Sequence, residues 1–338
     1  MIFMSKRILA AACAAATALA LSACSSTPSS EGNASKDGTL TVMASFYPLQ
    51  YLAEKIGGEH VTVTSLTPAG AEPHDLELSP KTVDTLASAD AVVYLAGFQS
   101  AVDEAIEQQA PKTVIDVSPA AELVEANSSA NHPSEDEDEA QSGESATEEH
   151  ADHDHEGHDH EGHHHDMSAD PHFWLDPVRM ASAATLVGDK LAEADPANAG
   201  TYKANAKALN EELSALGDDL VAKTATCQIK TFVTAHTAFG YLADRTGLTQ
   251  VGISGLDPDS SPSPARLAEI GQIAKDQGVT TIFTEALIDP KVAQTLADDL
   301  GISTAVLDPI ESQTDSSKDY AAVMKDNITA LTTANNCQ

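Results

Sequence analysis

The sequence predicts an α/β protein of two similar lobes, each a four-stranded parallel sheet with helices on both faces, joined by one long rigid helix. Three observations carry this. Short β-branched runs alternate with helical stretches, and strands separated by helices pair in parallel. The alternation occurs twice, with four strand-like runs each time. Between the two sets lies a stretch with no strand signal, residues 196–223, rich in Ala, Leu, Glu and Lys, which reads as a single helix. A helix is a stiff connector, so little motion between the lobes is expected. With 338 residues, 42% of them hydrophobic, the chain is long enough for two domains with packed cores.

The elements follow in order. Residues 1–23 read as a secretory signal peptide: Lys6 and Arg7 precede an apolar run and a small-residue stretch, too short for a stable membrane span. The closing "LSAC" resembles a bacterial lipoprotein box, which implies cleavage before Cys24 and lipid on that residue. Residues 24–38 are polar and Gly/Ser-rich, as the tether of an anchored protein needs to be. The first lobe, 39–195, has strand runs "TLTVMAS" (39–45), "VTVTSLT" (61–67), "AVVYLAG" (91–97) and "TVIDVS" (113–118). "PLQYLAEKIG" puts Leu49, Leu52, Ala53 and Ile56 on one helical face, and Ser79 with Pro80 opens another helix. The second lobe, 224–338, has "IKTFVTA" (229–235), "TQVGIS" (249–254), "VTTIFTE" (279–285) and "ISTAVLD" (302–308). The three helical stretches between them each end at a glycine, a helix stop signal.

A net charge of −34 excludes nucleic acid and anionic membrane surfaces as partners. Part of it is local, because residues 131–166 hold fourteen Asp or Glu and no Lys or Arg. The same segment holds nine of the thirteen histidines and two tandem copies of "HDHEG". Such composition cannot bury a core, and a disordered loop over 127–169 is expected. Its imidazoles, His150, His153, His155, His158, His160, His163, His164 and His165 among them, suit an accessory, metal-collecting role. They offer ligands without preorganisation, so binding there has to order the chain at an entropic cost. Of the four cysteines, Cys13 leaves with the signal and Cys24 takes lipid. Cys227 and Cys337 remain as an even pair in an exported chain, and a disulfide is expected.

The preorganised site is expected elsewhere. His74 in "EPHDLELSP", His172 in "DPHFWLDP" and His236 in "TAHTAFGYL" each fall in a loop at a strand end. Open parallel sheets bind ligands outside the carboxyl ends of their strands, so two facing lobes would bring these loops to one cleft. Zn²⁺ takes four donors in a tetrahedron. Three imidazoles supply three, and the fourth is open among Asp308, Glu311, Glu72 and water. His60 lacks such a context and reads as a surface residue.

These motifs, with "FTEALIDPKVAQTLADDLG", together resemble those of the zinc-binding lipoproteins of bacterial metal ABC transporters, in the family's order and nearly end to end. The resemblance implies metal-ligand roles for His74, His172 and His236, favours Glu311 as the fourth ligand, and gives Glu285 the task of orienting a histidine. It implies Zn²⁺ as the ligand, because manganese relatives carry a carboxylate where this chain has His236. It further implies capture of Zn²⁺ on the outer side of the membrane, delivery to an ABC permease with its ATPase, and a monomer held by lipid at Cys24. Mn²⁺ or Fe²⁺ capture by the same fold is the nearest alternative. A secreted zinc hydrolase is another, disfavoured because the one HExxH match, His160 to His164, falls inside the acidic His-rich run, where no helix is expected.

Overall fold

The computed structural model describes residues 39–125 and 169–338. The signal, the tether with Cys24 and the His-rich run therefore lie outside the described residues. Ala169, expected inside the loop, instead pairs with Glu125 in an isolated antiparallel bridge.

Each lobe is built on a parallel sheet. The first comprises β1 (Leu40–Ala44), β2 (Val61–Ser65), β3 (Ala91–Tyr94) and β4 (Val114–Asp116), in the order β2-β1-β3-β4. The second comprises β5 (Thr231–Thr234), β6 (Thr249–Gly252), β7 (Thr281–Thr284) and β8 (Ser303–Val306), in the matching order β6-β5-β7-β8. The strands are shorter than the sequence runs, because each run continues into the loop at its carboxyl end. The helices are α1 (Tyr47–Gly57), α2 (Pro80–Leu86), α3 (Ser100–Gln109), α4 (Ser118–Ala121), α5 (Pro177–Ala194), α6 (Ala199–Thr224), α7 (Gly240–Thr246), α8 (Pro264–Asp276), α9 (Lys291–Leu300) and α10 (Tyr320–Ala334).

Alternation along the strands divides the core. In β1, Val42 and Ala44 face α1 and α5, while Met43 faces the other way with Leu86, Val102 and Ile106 of α2 and α3. In the second sheet, Phe232 and Phe283 face the molecular centre, while Val233 and Ile282 pack on Ile270 and Ala293 of α8 and α9. The central cluster is shared by both lobes. It runs from Val42 through Trp174 and Leu213 to Tyr320 and Leu331.

The linking helix, expected over 196–223, is α6. Its buried Tyr202, Ala206, Leu209, Leu213, Leu216 and Leu220 form one stripe at three- and four-residue spacing. It is not alone. α5, capped by the Asp176 carboxylate accepting from Val178 N at 2.9 Å, packs along it. The approach is close: a Cβ on Gly188 would fall 2.3 Å from Ala206 Cβ, and one on Gly217 2.8 Å from Val178 Cγ2. Cys227, just after α6, is joined to Cys337, just after α10, by a disulfide.

Candidate metal centre

The four candidate donors come from four different loops, all at carboxyl ends of the sheets or on the segment that joins them. His74 lies in the loop between β2 and α2. His172 lies on the strap that enters α5. His236 follows β5, and Glu311 lies in the loop between β8 and α10. Their ligating atoms all lie within 4.8 Å of one another. Glu311 Oε1 is 3.2 Å from His172 Nε2, 3.3 Å from His236 Nε2 and 3.4 Å from His74 Nε2. His172 and His236 bring their Nε2 atoms to 3.4 Å of each other. A tetrahedron with arms of ~2.0–2.1 Å has edges of about 3.3–3.4 Å. Four of the six donor separations therefore match the edges of a tetrahedral ion, and the two between His74 and the other imidazoles stay within 4.8 Å.

Two carboxylates orient two of the rings. Asp170 Oδ1 accepts from His172 Nδ1 at 2.8 Å and from His172 N at 3.0 Å. Glu285, directly after β7, accepts from His236 Nδ1 at 2.8 Å and from His236 N at 3.1 Å. A carboxylate can only accept, so Nδ1 carries the proton in both rings. Nε2 of each ring is then the atom that faces the cluster, and it binds a cation by giving up the proton it shares with Glu311. His74 is held differently. Its backbone N donates to Glu72 Oε2 at 2.9 Å, and its ring stands edge-on to Phe98 with centroids 4.8 Å apart. Phe98, Phe46 and Trp174 form an aromatic floor, with Trp174 5.2 Å from the His172 ring.

The expected alternatives for the fourth donor separate clearly. Asp308 is outside the group, its Oδ1 occupied by Ile310 N at 2.7 Å. Glu72 is at the margin, with Oε1 3.9 Å from His74 Nε2, buried and without a hydrogen-bond partner. Glu311 is the carboxylate in the group. Asp170 escaped the sequence reading, although its spacing of two residues from His172 within "DPHFWLDP" was available as a signal. His60 lies apart from the group, edge-on to Tyr202.

Burial and charge oppose each other here. Burial works to raise the Glu311 carboxyl, but hydrogen bonds from His172, His236 and His74 outweigh it and hold it well below the usual range. Burial likewise disfavours a charged His236, yet the Glu285 charge and hydrogen bond, with Glu311, lift it to about 10. His172 is also raised, Asp170 outweighing burial. His74, with no such carboxylate, is lowered by burial. Burial pushes Glu72 up to about 7 despite the hydrogen bond from His74 N.

The lobes meet around this cluster. Trp174 Nε1 donates to Pro309 O at 2.7 Å, Gly70 N donates to Ser312 Oγ at 2.7 Å, and Tyr241 OH donates to Asp170 O at 2.7 Å. Fold and site together define a two-lobed binding protein with a buried three-imidazole, one-carboxylate cluster between its lobes. The chain belongs to the ZnuA family, described as zinc-uptake complex component A, periplasmic, which it matches over residues 42–334. It is 34% identical over 325 residues to the high-affinity zinc uptake system protein ZnuA of Bacillus subtilis, covering 94% of each chain. It is 35% identical over 301 residues to the zinc-binding protein AdcA of Streptococcus pyogenes, covering 87% of this chain and 56% of that one. The chain thus spans about half the length of the AdcA relatives it matches. The Zn(II)-bound ZnuA-like domain of Streptococcus pneumoniae AdcA superposes with a TM-score of 0.68 at 29% identity, over 88% of this chain and 100% of that one.

Proposed function

We propose that the protein captures Zn²⁺ on the outer side of the membrane, between its lobes, and delivers it to an ABC permease driven by its ATPase. His74, His172, His236 and Glu311 are the ligands. The carrying observation is the set of 3.2–3.4 Å separations between Glu311 Oε1 and the three Nε2 atoms, the spacing of a tetrahedral ion's donors. Glu285 and Asp170 fix the ring tautomers and raise ligand basicity. Three nitrogens and one oxygen favour Zn²⁺ over the harder Mn²⁺. All four donors are spent on the ion, which leaves no open position for an activated water, so the role is binding rather than catalysis. Cys24 anchors the chain through lipid, and the histidines of residues 131–166 gather ions near the cleft.

Competition titration with a chromogenic chelator tests this on a chain lacking residues 131–166. One tight Zn²⁺ equivalent is expected. Replacing His74, His172 or His236 by Ala lowers its affinity by orders of magnitude. Three single variants binding like the parent would overturn the ligand assignment.

A further inference from the structure

We infer that two buried glutamines, Gln99 and Gln250, are positioning residues for the metal. Each grips the main chain of one histidine arm and holds that imidazole on the common point. The inference rests on the reading of His74 and His236 as ligands.

Gln99 is 2% exposed and Gln250 1%. Gln99 Nε2 donates to Thr67 Oγ1 at 3.0 Å and to Pro73 O, the carbonyl preceding His74, at 3.0 Å. Gln250 Nε2 donates to Thr234 Oγ1 at 2.8 Å and to the carbonyl of His236 itself at 3.1 Å. The polarity of both forks is fixed by chemistry. A carbonyl only accepts, so the amide nitrogen must face it. Each threonine hydroxyl gives its own proton onward, Thr67 to Ser45 O at 2.7 Å and Thr234 to His236 O at 2.6 Å, and so accepts from the glutamine.

The same device is reached by different routes. Gln99 follows β3 and precedes α3, whereas Gln250 lies within β6. Repetition of a lobe does not generate this match. In both residues Oε1 is buried and has no partner. An orphaned acceptor costs stability that an apolar side chain of the same shape would avoid. The donors are therefore what each position requires, and both donors end at a histidine arm. Gln99 also extends the buttress of its neighbour Phe98, whose ring meets His74 edge-on at 4.8 Å. Metal affinity depends on donors held within a few tenths of an ångström, so main-chain slack in either arm loosens the ion.

The test replaces each glutamine by methionine, which keeps the length and removes both donors. Zn²⁺ release into excess chelator and the visible spectrum of the Co²⁺-loaded protein are measured on the full chain. Gln99→Met and Gln250→Met should each speed release about 10- to 100-fold. The Co²⁺ bands should shift or weaken. Wild-type release and spectra, whatever the melting temperatures, overturn the inference. If a methionine variant does not fold, Thr67→Val or Thr234→Val removes the anchor of the same fork. Faster release again supports the inference and an unchanged rate overturns it. His236→Ala separates this from the ligand reading. If His236→Ala keeps the Co²⁺ spectrum, the ligand reading fails. If it abolishes the spectrum while the glutamine variants leave it intact, only the positioning role fails.

Discussion

Glu285 sets both carboxylate oxygens 2.8 Å from Nδ1 of His236, and its Oε1 also accepts the His236 backbone N at 3.1 Å. The two residues are 49 apart in the chain and meet because β5 and β7 are paired neighbours at the centre of the second sheet. The carboxylate fixes the ring's tautomer, its rotation and its charge together. Glu285→Gln keeps an acceptor and loses the charge, so Zn²⁺ affinity should fall about 10- to 100-fold, and Glu285→Ala should lose more. Asp170→Asn should do the same through His172. Competition titration checks both, and an unchanged affinity in Glu285→Ala would remove the orienting role.

Much of this was legible in the sequence because it is periodic or local. β-Branched runs gave the strands, and the stretch at 196–223 gave α6, found at Ala199–Thr224. Histidines placed just beyond strand ends gave the cleft, since a parallel sheet presents those ends together. What the sequence did not reveal depends on distant partners. Nothing near Gln250 says that its amide reaches His236 O, and Ser312 is 242 residues from the Gly70 it holds. The residues alone leave Glu311 and Asp308 both open and only the resemblance favours Glu311, because what separates them is three-dimensional. Asp308 is tied to the backbone of its own turn at Ile310, and Glu311 projects to the histidines.

Protonation should stabilise the protein once a chelator has stripped its metal. His236 holds its proton up to about 10, against about 6.5 in an unfolded chain. Its raised value contributes stability that is fully present below about 6.5 and is lost as the pH rises through about 10. Glu311, held well below its usual value, adds stability above the ordinary carboxylate range and loses it in acid. The stripped protein's melting temperature should therefore fall between pH 6.5 and 10, and His236→Gln should flatten that fall. With saturating Zn²⁺ the slope should shrink, because the ion replaces the protons on Nε2. A stripped protein that melts at the same temperature across this window would contradict the charge arrangement.

Gly188 lets α5 and α6 touch. A Cβ there would fall 2.3 Å from Ala206 Cβ, and both helices are too firmly packed to part cheaply. Gly188→Val should destabilise by at least ~1–3 kcal/mol through overpacking. Urea unfolding measures it. A compensating Ala206→Gly should recover part of the loss, and no recovery would place the strain elsewhere.

The disulfide closes a separation of 110 residues. In the chain-entropy model a loop of that size contributes about 4–5 kcal/mol, an upper figure. Cys227→Ser with Cys337→Ser should lower stability toward that amount while leaving Zn²⁺ affinity near wild type, because Cys227 precedes β5 and His236 follows it, at opposite ends of the strand. Chemical denaturation and competition titration read the two effects separately. A large affinity loss would mean that α10, which the bridge pins, also positions the Glu311 loop.

The His-rich run and the cleft make opposite predictions for metal stoichiometry. Residues 131–166 hold nine histidines in an acidic, repetitive sequence. The cleft holds three, each braced by a carboxylate or an aromatic ring. Deleting 131–166 spares Val124, Glu125, Ala169 and Asp170, where Asp170 N donates to Val124 O at 3.0 Å and Glu125 pairs with Ala169. The deletion should remove several weak Zn²⁺ equivalents and keep one tight one. The weak equivalents should fade as the pH falls below about 6.5, because a protonated imidazole cannot donate to a metal. The tight site should persist further into acid, since four donors converging on one ion compete better with protons than one or two imidazoles do. In cells carrying the deletion, growth should suffer only when zinc is scarce, the condition under which gathering ions beside the cleft raises the rate of capture. Zn²⁺ titration of both forms against a chelator at pH 7.5 and 5.5 decides between the two sites. Loss of the tightest equivalent on deletion would make the run the primary site and leave the cleft cluster without its proposed role.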